Sequence, residues 1–317
     1  MIDLEHRDLR LRIDDALGAG IRGLWVHHAA DRWAPLLREV PATSSNYKDL
    51  SCYVLAPWSN RIPHGRFRFE GREHQVPIDR PSEPSAIHGL SKTQAFTILD
   101  RSPVSARLEC RGDDRWPWPM RYEIRYELLD DGVQMRVRMR NDGSAPCPAG
   151  GGFHPFFSSS PFMPGERPLI TASVRARYPL ERCLPIGDAS ADPLCGTLNA
   201  AAGSQGLEVG NVALDDCFLG SCHGATIEWP RSRVRVRFEC SDALTHTVIY
   251  VPAATKEADK SGAMPPFFCV EPVSMVNGGF GQLDRDADAP TIREHGVRVL
   301  SPGETLELGC TLRLERA

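Results

Sequence analysis

The sequence predicts an all-β protein, a large β-sandwich forming a single domain over residues 1–317. Three observations carry this reading. Apolar and polar residues alternate strictly in run after run, helical periodicity is scarce, and 27 glycines and 26 prolines interrupt the alternating runs at turn-like intervals. A strand with one apolar face has to cover it, and where helices are few the cover is a second sheet. A chain of 317 residues can bury a sizeable core. No internal repeat or low-complexity linker divides it.

The clearest element is a hairpin. MRYEIRYEL, from Met120, puts Met120, Tyr122, Ile124, Tyr126 and Leu128 on one face; LDDG turns the chain, and Val133, Met135, Val137 and Met139 continue that face in VQMRVRMR. The opposite face is wet and rich in arginine. The same period of two recurs in FRFEG at 67–71, VRVRFEC at 234–240, HTVIYV at 246–251 and ETLELGCTLRLE at 304–315. Near the start, LRLRIDD and LGAGIRGLWVHH predict another hairpin. The stretches 182–211 and 252–267 lack periodicity and read as long loops.

Composition excludes several classes. Lys and Arg number 37 against 41 Asp and Glu, a net charge of −4, so no global field attracts nucleic acid or an anionic membrane. The N-terminus is charged from its third residue and lacks an apolar signal region, and no run approaches the ~20 apolar residues of a membrane span. A soluble, cytoplasmic protein is expected. The ten cysteines are scattered without a CxxC pair, which reads as reduced thiols used as small apolar residues and gives no support to a structural zinc site.

Five stretches break the alternation. In GGFHPFF at 151–157, two readings fit His154: an interior histidine hydrogen-bonded against the core, or a proton donor on a backbone stiffened by proline, with aromatic neighbours excluding water. The glycines let a ligand or a second strand approach closely. Asn60 and Arg61, in APWSNRIPHG, form an ordinary turn entry or supply directed hydrogen bonds to hydroxyls. His88 precedes a glycine in AIHGLSK. Asp215 and Asp216 interrupt an apolar run in VALDDCFLG, costly if both are buried without partners. Glu271, between FFCV and PVSMV, is the most anomalous carboxylate in the chain and needs a partner or a chemical role.

Taken in order, NRI-x-x-G-x-F-x-F-x-G, the mid-chain HG, WPWPMRYEIRYEL, CPAGGGFHPFF, LDDCF and VEPVS resemble the aldose 1-epimerases, the galactose mutarotases, from about Gly20 to the C-terminus. The resemblance implies the galactose mutarotase-like supersandwich, with a sugar bound in an open cleft across one sheet. It implies His154 as the general acid on the ring oxygen and Glu271 as the general base on the anomeric hydroxyl. Arg61 and His88 are then expected to hold ring and exocyclic oxygens and Asp215 to bind hydroxyls, with Asn60 the less certain neighbour; Phe156 or Trp58 would offer a flat face to the sugar. Ser274 and Asn277, in PVSMVNGGF, align only loosely.

The implied reaction interconverts the α and β anomers of a free aldose by ring opening and reclosure, with no cofactor or metal. A positioned acid and base typically give ~10²–10⁴-fold each, about 5–11 kcal/mol together. A glutamate near its reference value of ~4.3 and an imidazole near ~6.5 suit the two tasks. The alternatives are a mutarotase for a phosphorylated sugar, which would need cationic residues in the cleft, and a non-catalytic carbohydrate-binding or sensor protein of the same fold. An unrelated sugar lyase or isomerase in a similar sandwich comes after these. The expected partner is a monosaccharide, and the chain is expected to be a monomer or a weak homodimer.

Overall fold

The alternating runs pair into two large antiparallel sheets. A computed structural model describes all residues except 30, 31, 42, 81, 201–205, 254–264 and 317. Among the described residues one sheet has ten strands and the other nine. The predicted hairpin forms from Met120–Leu129 and Gly132–Asn141, with Tyr122 opposite Met139, Ile124 opposite Val137 and Tyr126 opposite Met135. These cross-strand aromatic and aliphatic pairs fix the register, because a slip of one residue would turn the apolar face outward. The hairpin near the start also forms, from Leu9–Asp14 and Gly20–Ala29.

The nine-stranded sheet centres on Thr305–Arg316, which pairs with Gly132–Asn141 on one side and Val234–Cys240 on the other. Its inner face supplies Leu108, Tyr122, Ile124, Val137, Phe238 and Leu308 to the core between the sheets. Its outer face is laced by ion pairs such as Arg235–Glu228, Arg237–Glu315 and Arg313–Glu239. Pairs of that kind add little stability each; they keep the wet face soluble.

The ten-stranded sheet runs, through its centre, in the order Gly20–Ala29, Cys52–Leu55, Gly152–Ser158, Phe267–Val273, His246–Val251 and Leu214–Leu219. Both faces of these central strands are covered. Val54, Phe153, Phe157, Phe268, Val270 and Ile249 point into the core, while Tyr53, Phe156, Cys269, Val273, Val248 and Cys217 join a second apolar cluster on the far side. That far side is the floor of a cleft.

One expectation needs correction. The stretch 182–211 is not one loop: within it lie the Leu184–Pro185 strand, paired with Leu180–Glu181, the helix Pro193–Leu198 and the strand Leu207–Glu208. The helix start was readable, since Asp192 caps Leu194 N through its side chain and proline occupies the first turn. Most of the second expected loop, 252–267, lies outside the described residues. All ten cysteines carry free thiols, eight of them buried.

Candidate active site

On the Gly152–Ser158 strand the period of two sends His154 and Phe156 to the cleft and Phe153 and Phe157 to the core. The register against Phe267–Val273, with Gly152 opposite Val273 and Phe156 opposite Cys269, puts Glu271 across from His154. Their facing atoms, His154 Nε2 and Glu271 Oε1, are 3.3 Å apart. Both residues are buried, 7 % and 3 % exposed. The glycine pair serves strand approach here: a Cβ on Gly151 would sit 2.0 Å from the Leu55 carbonyl oxygen, and one on Gly152 would sit 2.2 Å from that of Pro272. Ser274 completes the mount, its Oγ accepting from Gly151 N at 2.9 Å.

Above this pair opens a cavity of about 250 Å³, which Asn60, Arg61, His88, His154, Asp215 and Glu271 all line. The six residues singled out from sequence therefore converge on one place. Asn60 and His88 sit on adjoining turns, each with a left-handed backbone (φ 55° and 59°). The turns lock together, His88 N donating to Asn60 O at 2.8 Å and Asn60 N donating to His88 Nδ1 at 3.2 Å. An accepting Nδ1 puts the proton of the neutral ring on Nε2. Burial, then the neighbouring His154 and the cations Lys92, Arg61 and Arg80, hold His88 well below the ordinary imidazole value, so it is neutral.

Arg61 is held from two sides, by Glu83 (Nε to Oε1, 2.9 Å) and by Asn60 Oδ1 (2.7 Å). Asp215 is exposed at the rim, where Cys183 Sγ donates to its Oδ2 at 3.2 Å. Its neighbour Asp216 points away from the cleft and pairs with Arg177 at 2.9 Å, so the acidic doublet does not bury two uncompensated charges. Asn277, loosely aligned in sequence, donates to the Cys183 carbonyl at 2.9 Å and steadies that rim.

Three further expectations change. Trp58 is fully buried among Trp116 and Phe280, away from the cavity, and offers no face to a ligand. Phe156 lines the cavity, yet its ring is stacked on His154 (centroids 4.4 Å, planes 10° apart) and lies 3.5 Å from the Arg38 guanidinium. It dries the imidazole instead of presenting a free platform. Finally, the pair does not keep reference acidities: burial, with Arg38 adding to it, pushes His154 down to about 3, while burial and the charge of Asp215 push Glu271 well above its ordinary value against a pull from Arg61.

Sequence reasoning missed Arg38, Tyr47, Lys48, Tyr53, Arg80, Tyr250 and Phe267, which also line the cavity. Tyr250 sits in an alternating run and Tyr53 in the continuous apolar run CYVL, and both read as core. Arg38, Lys48 and Arg80 lie in stretches without a pattern, and only tertiary folding brings them together.

The family follows from comparison with known proteins. A family model described as Aldose 1-epimerase matches residues 3–284, and the chain belongs to that family. It is 27% identical over 317 residues to the uncharacterized protein YphB of Escherichia coli, covering 98% of each chain. Over 108 residues it is 32% identical to the uncharacterized protein YihR of Escherichia coli, a match spanning 35% of that protein and 33% of this chain. Galactose mutarotase of Rattus norvegicus matches at 27% over 110 residues, 31% of its length and 33% of this chain. The fold is shared with galactose mutarotase-like proteins from Clostridium acetobutylicum (TM-score 0.79, 20% identity, covering 99% of this chain and 95% of that one) and Lactobacillus casei (0.74, 18%, covering 99% and 100%). No helix among the described residues is long and apolar enough to cross a membrane.

Proposed function

We propose that this protein is an aldose 1-epimerase that interconverts the α and β anomers of a free monosaccharide in the cavity above His154 and Glu271. The observation that carries the reading is the 3.3 Å contact between these two buried groups at the floor of a cavity ringed by hydrogen-bonding side chains. A volume of about 250 Å³ falls below the ~300–1,000 Å³ of pockets for drug-sized ligands, which suits one sugar ring. The reading takes the chain as one domain, supported by the core shared between the two sheets.

In this mechanism the pair carries one proton throughout. With the proton on His154 and Glu271 ionised, Glu271 removes the proton of the anomeric hydroxyl, the C1=O bond forms, the bond from C1 to the ring oxygen breaks, and His154 protonates that oxygen. Rotation about C1–C2 exposes the other face of the aldehyde. The freed hydroxyl then attacks, returning its proton to His154, while Glu271 gives its proton back to O1. In the empty site burial favours the uncharged arrangement, with the proton on Glu271; sugar hydroxyls replacing lost water would favour its transfer across the 3.3 Å gap. His88, through Nε2–H, Arg61 and Asp215 would hold the sugar, and Asn60 would position Arg61.

Polarimetry of freshly dissolved α-aldoses tests the reading. Equilibration should be faster with the protein, and Glu271→Gln should keep the fold and sugar binding while losing ~10²–10⁴-fold in turnover. Full activity in that variant would remove the base. An anionic sugar is the second reading, favoured by Arg38, Lys48, Arg61 and Arg80 around the cavity. Activity on a sugar phosphate but on no neutral aldose would select it.

A further inference from the structure

We propose that the floor of the cavity is also a binding site for a thiophilic divalent cation of the zinc type, held by His154, Cys269 and Glu271. One ligand atom from each residue lies within 4.8 Å of those of the other two, and all three side chains are buried. The sheet register creates the cluster. Cys269 and Glu271 are two apart on one strand and so share the cleft face, and His154 on the adjacent strand faces Glu271.

The donor set selects the metal class. One imidazole nitrogen, one thiol sulfur and one carboxylate oxygen match zinc, whose bonds to such ligands are ~2.0–2.3 Å long. Calcium and magnesium prefer shells of about six or more oxygens, and a single carboxylate does not supply them. Tetrahedral ligands with those bond lengths are about 3.3–3.8 Å apart. The His154–Glu271 contact already has this spacing, and a side-chain adjustment of about 1 Å brings in the thiol. Three protein ligands leave the fourth position facing the cavity, the open arrangement of a site that still takes water or a small molecule.

The consequence for activity rests on the proposed function. A cation seated here occupies both members of the proton-transferring pair and blocks ring opening in competition with sugar.

Cobalt(II) added to chelator-stripped protein tests the site without substrate, so failure of the metal site and failure of the catalytic reading are separable. One equivalent should give a thiolate-to-cobalt charge-transfer band that zinc displaces. Cys269→Ala and Cys269→Val, two variants so that a folded one remains, should lose the band and weaken zinc binding by about 100-fold or more, beyond the cost of losing an outer partner. Absence of the band in the wild type, or its persistence in a folded variant, overturns the site. With a sugar that is turned over, zinc should inhibit the wild type competitively and each variant, measured against its own zinc-free rate, far less. Cobalt binding without zinc inhibition would overturn the blocking role.

Discussion

At the scale of single residues, His154 and Glu271 are better described as one titrating unit than as two groups. Burial drives His154 and Glu271 in opposite directions, so the form with one shared proton persists over a wide range. The first proton is lost only above the ordinary carboxylate range, and a second is gained only where His154 titrates, about 3. Since both arrangements of the shared proton belong to the same protonation state, kcat/KM should stay level as pH falls below the raised Glu271 value toward about 3, where His154 titrates. A free imidazole acting as the acid would instead put a limb near ~6.5. The pH dependence of kcat/KM by polarimetry, corrected for buffer catalysis, decides between them. A break near 6.5 would mean that His154 titrates independently of Glu271.

At the scale of elements, the floor of the cleft is a place where three central strands pair and two glycines face their neighbours' carbonyls with no room for a side chain. Gly152→Ala would put a Cβ 2.2 Å from Pro272 O and 2.8 Å from Val273 Cα, both backbone atoms that cannot swing aside. The strands would have to part beside the His154–Glu271 contact. We expect a loss of about 1–3 kcal/mol, as for other overpacking changes, together with a loss of turnover. Chemical denaturation checks this, and wild-type stability would show that the strands tolerate the extra atom. These glycines also mark the limit of sequence reading. GGFHPFF announced a special site and the apolar flanks of Glu271 marked a second, but the register that sets His154 opposite Glu271 comes from long-range strand pairing. The hairpin at Met120–Asn141 was legible from a local period of two that tertiary packing reinforces. Trp58 reads from its residue type as core more readily than as a sugar platform, and its packing against Trp116 and Phe280 agrees. The cations at the cavity escaped notice because Arg38, Lys48 and Arg80 are distant in sequence and converge only through long-range strand pairing.

At the scale of the whole molecule, the two sheets divide the electrical work unequally. The nine-stranded sheet puts its charges on a solvated outer face; the central strands of the ten-stranded sheet are covered on both faces and hold polar groups where water is scarce. His88, His154, His246 and Glu271 are the groups that feel this most. Burial lowers His246 to about 4, with the Glu294 carbonyl and charge opposing, and holds His88 well below 6.5. Because their folded values are depressed, the unfolded chain takes up protons near 6.5 that the native state refuses. Stability contributed by these groups is complete above about 6.5 and is lost as pH falls toward about 4. The His154–Glu271 pair contributes little in this window: unfolded, it holds about one proton on histidine, and folded it holds one proton shared. His88 and His246 remain, each unfolded ring half protonated at about 6.5 and nearly fully protonated at about 5, together worth about 3 kcal/mol over that interval. The midpoint of denaturant unfolding should therefore fall over that interval with little change in slope, and more gently in His246→Gln, which lacks one of the two titrating rings. A flat midpoint from pH 7 to pH 5 in the wild type would mean that these rings accept protons in the native state, and that the cleft face of the sheet is wetter than its packing implies.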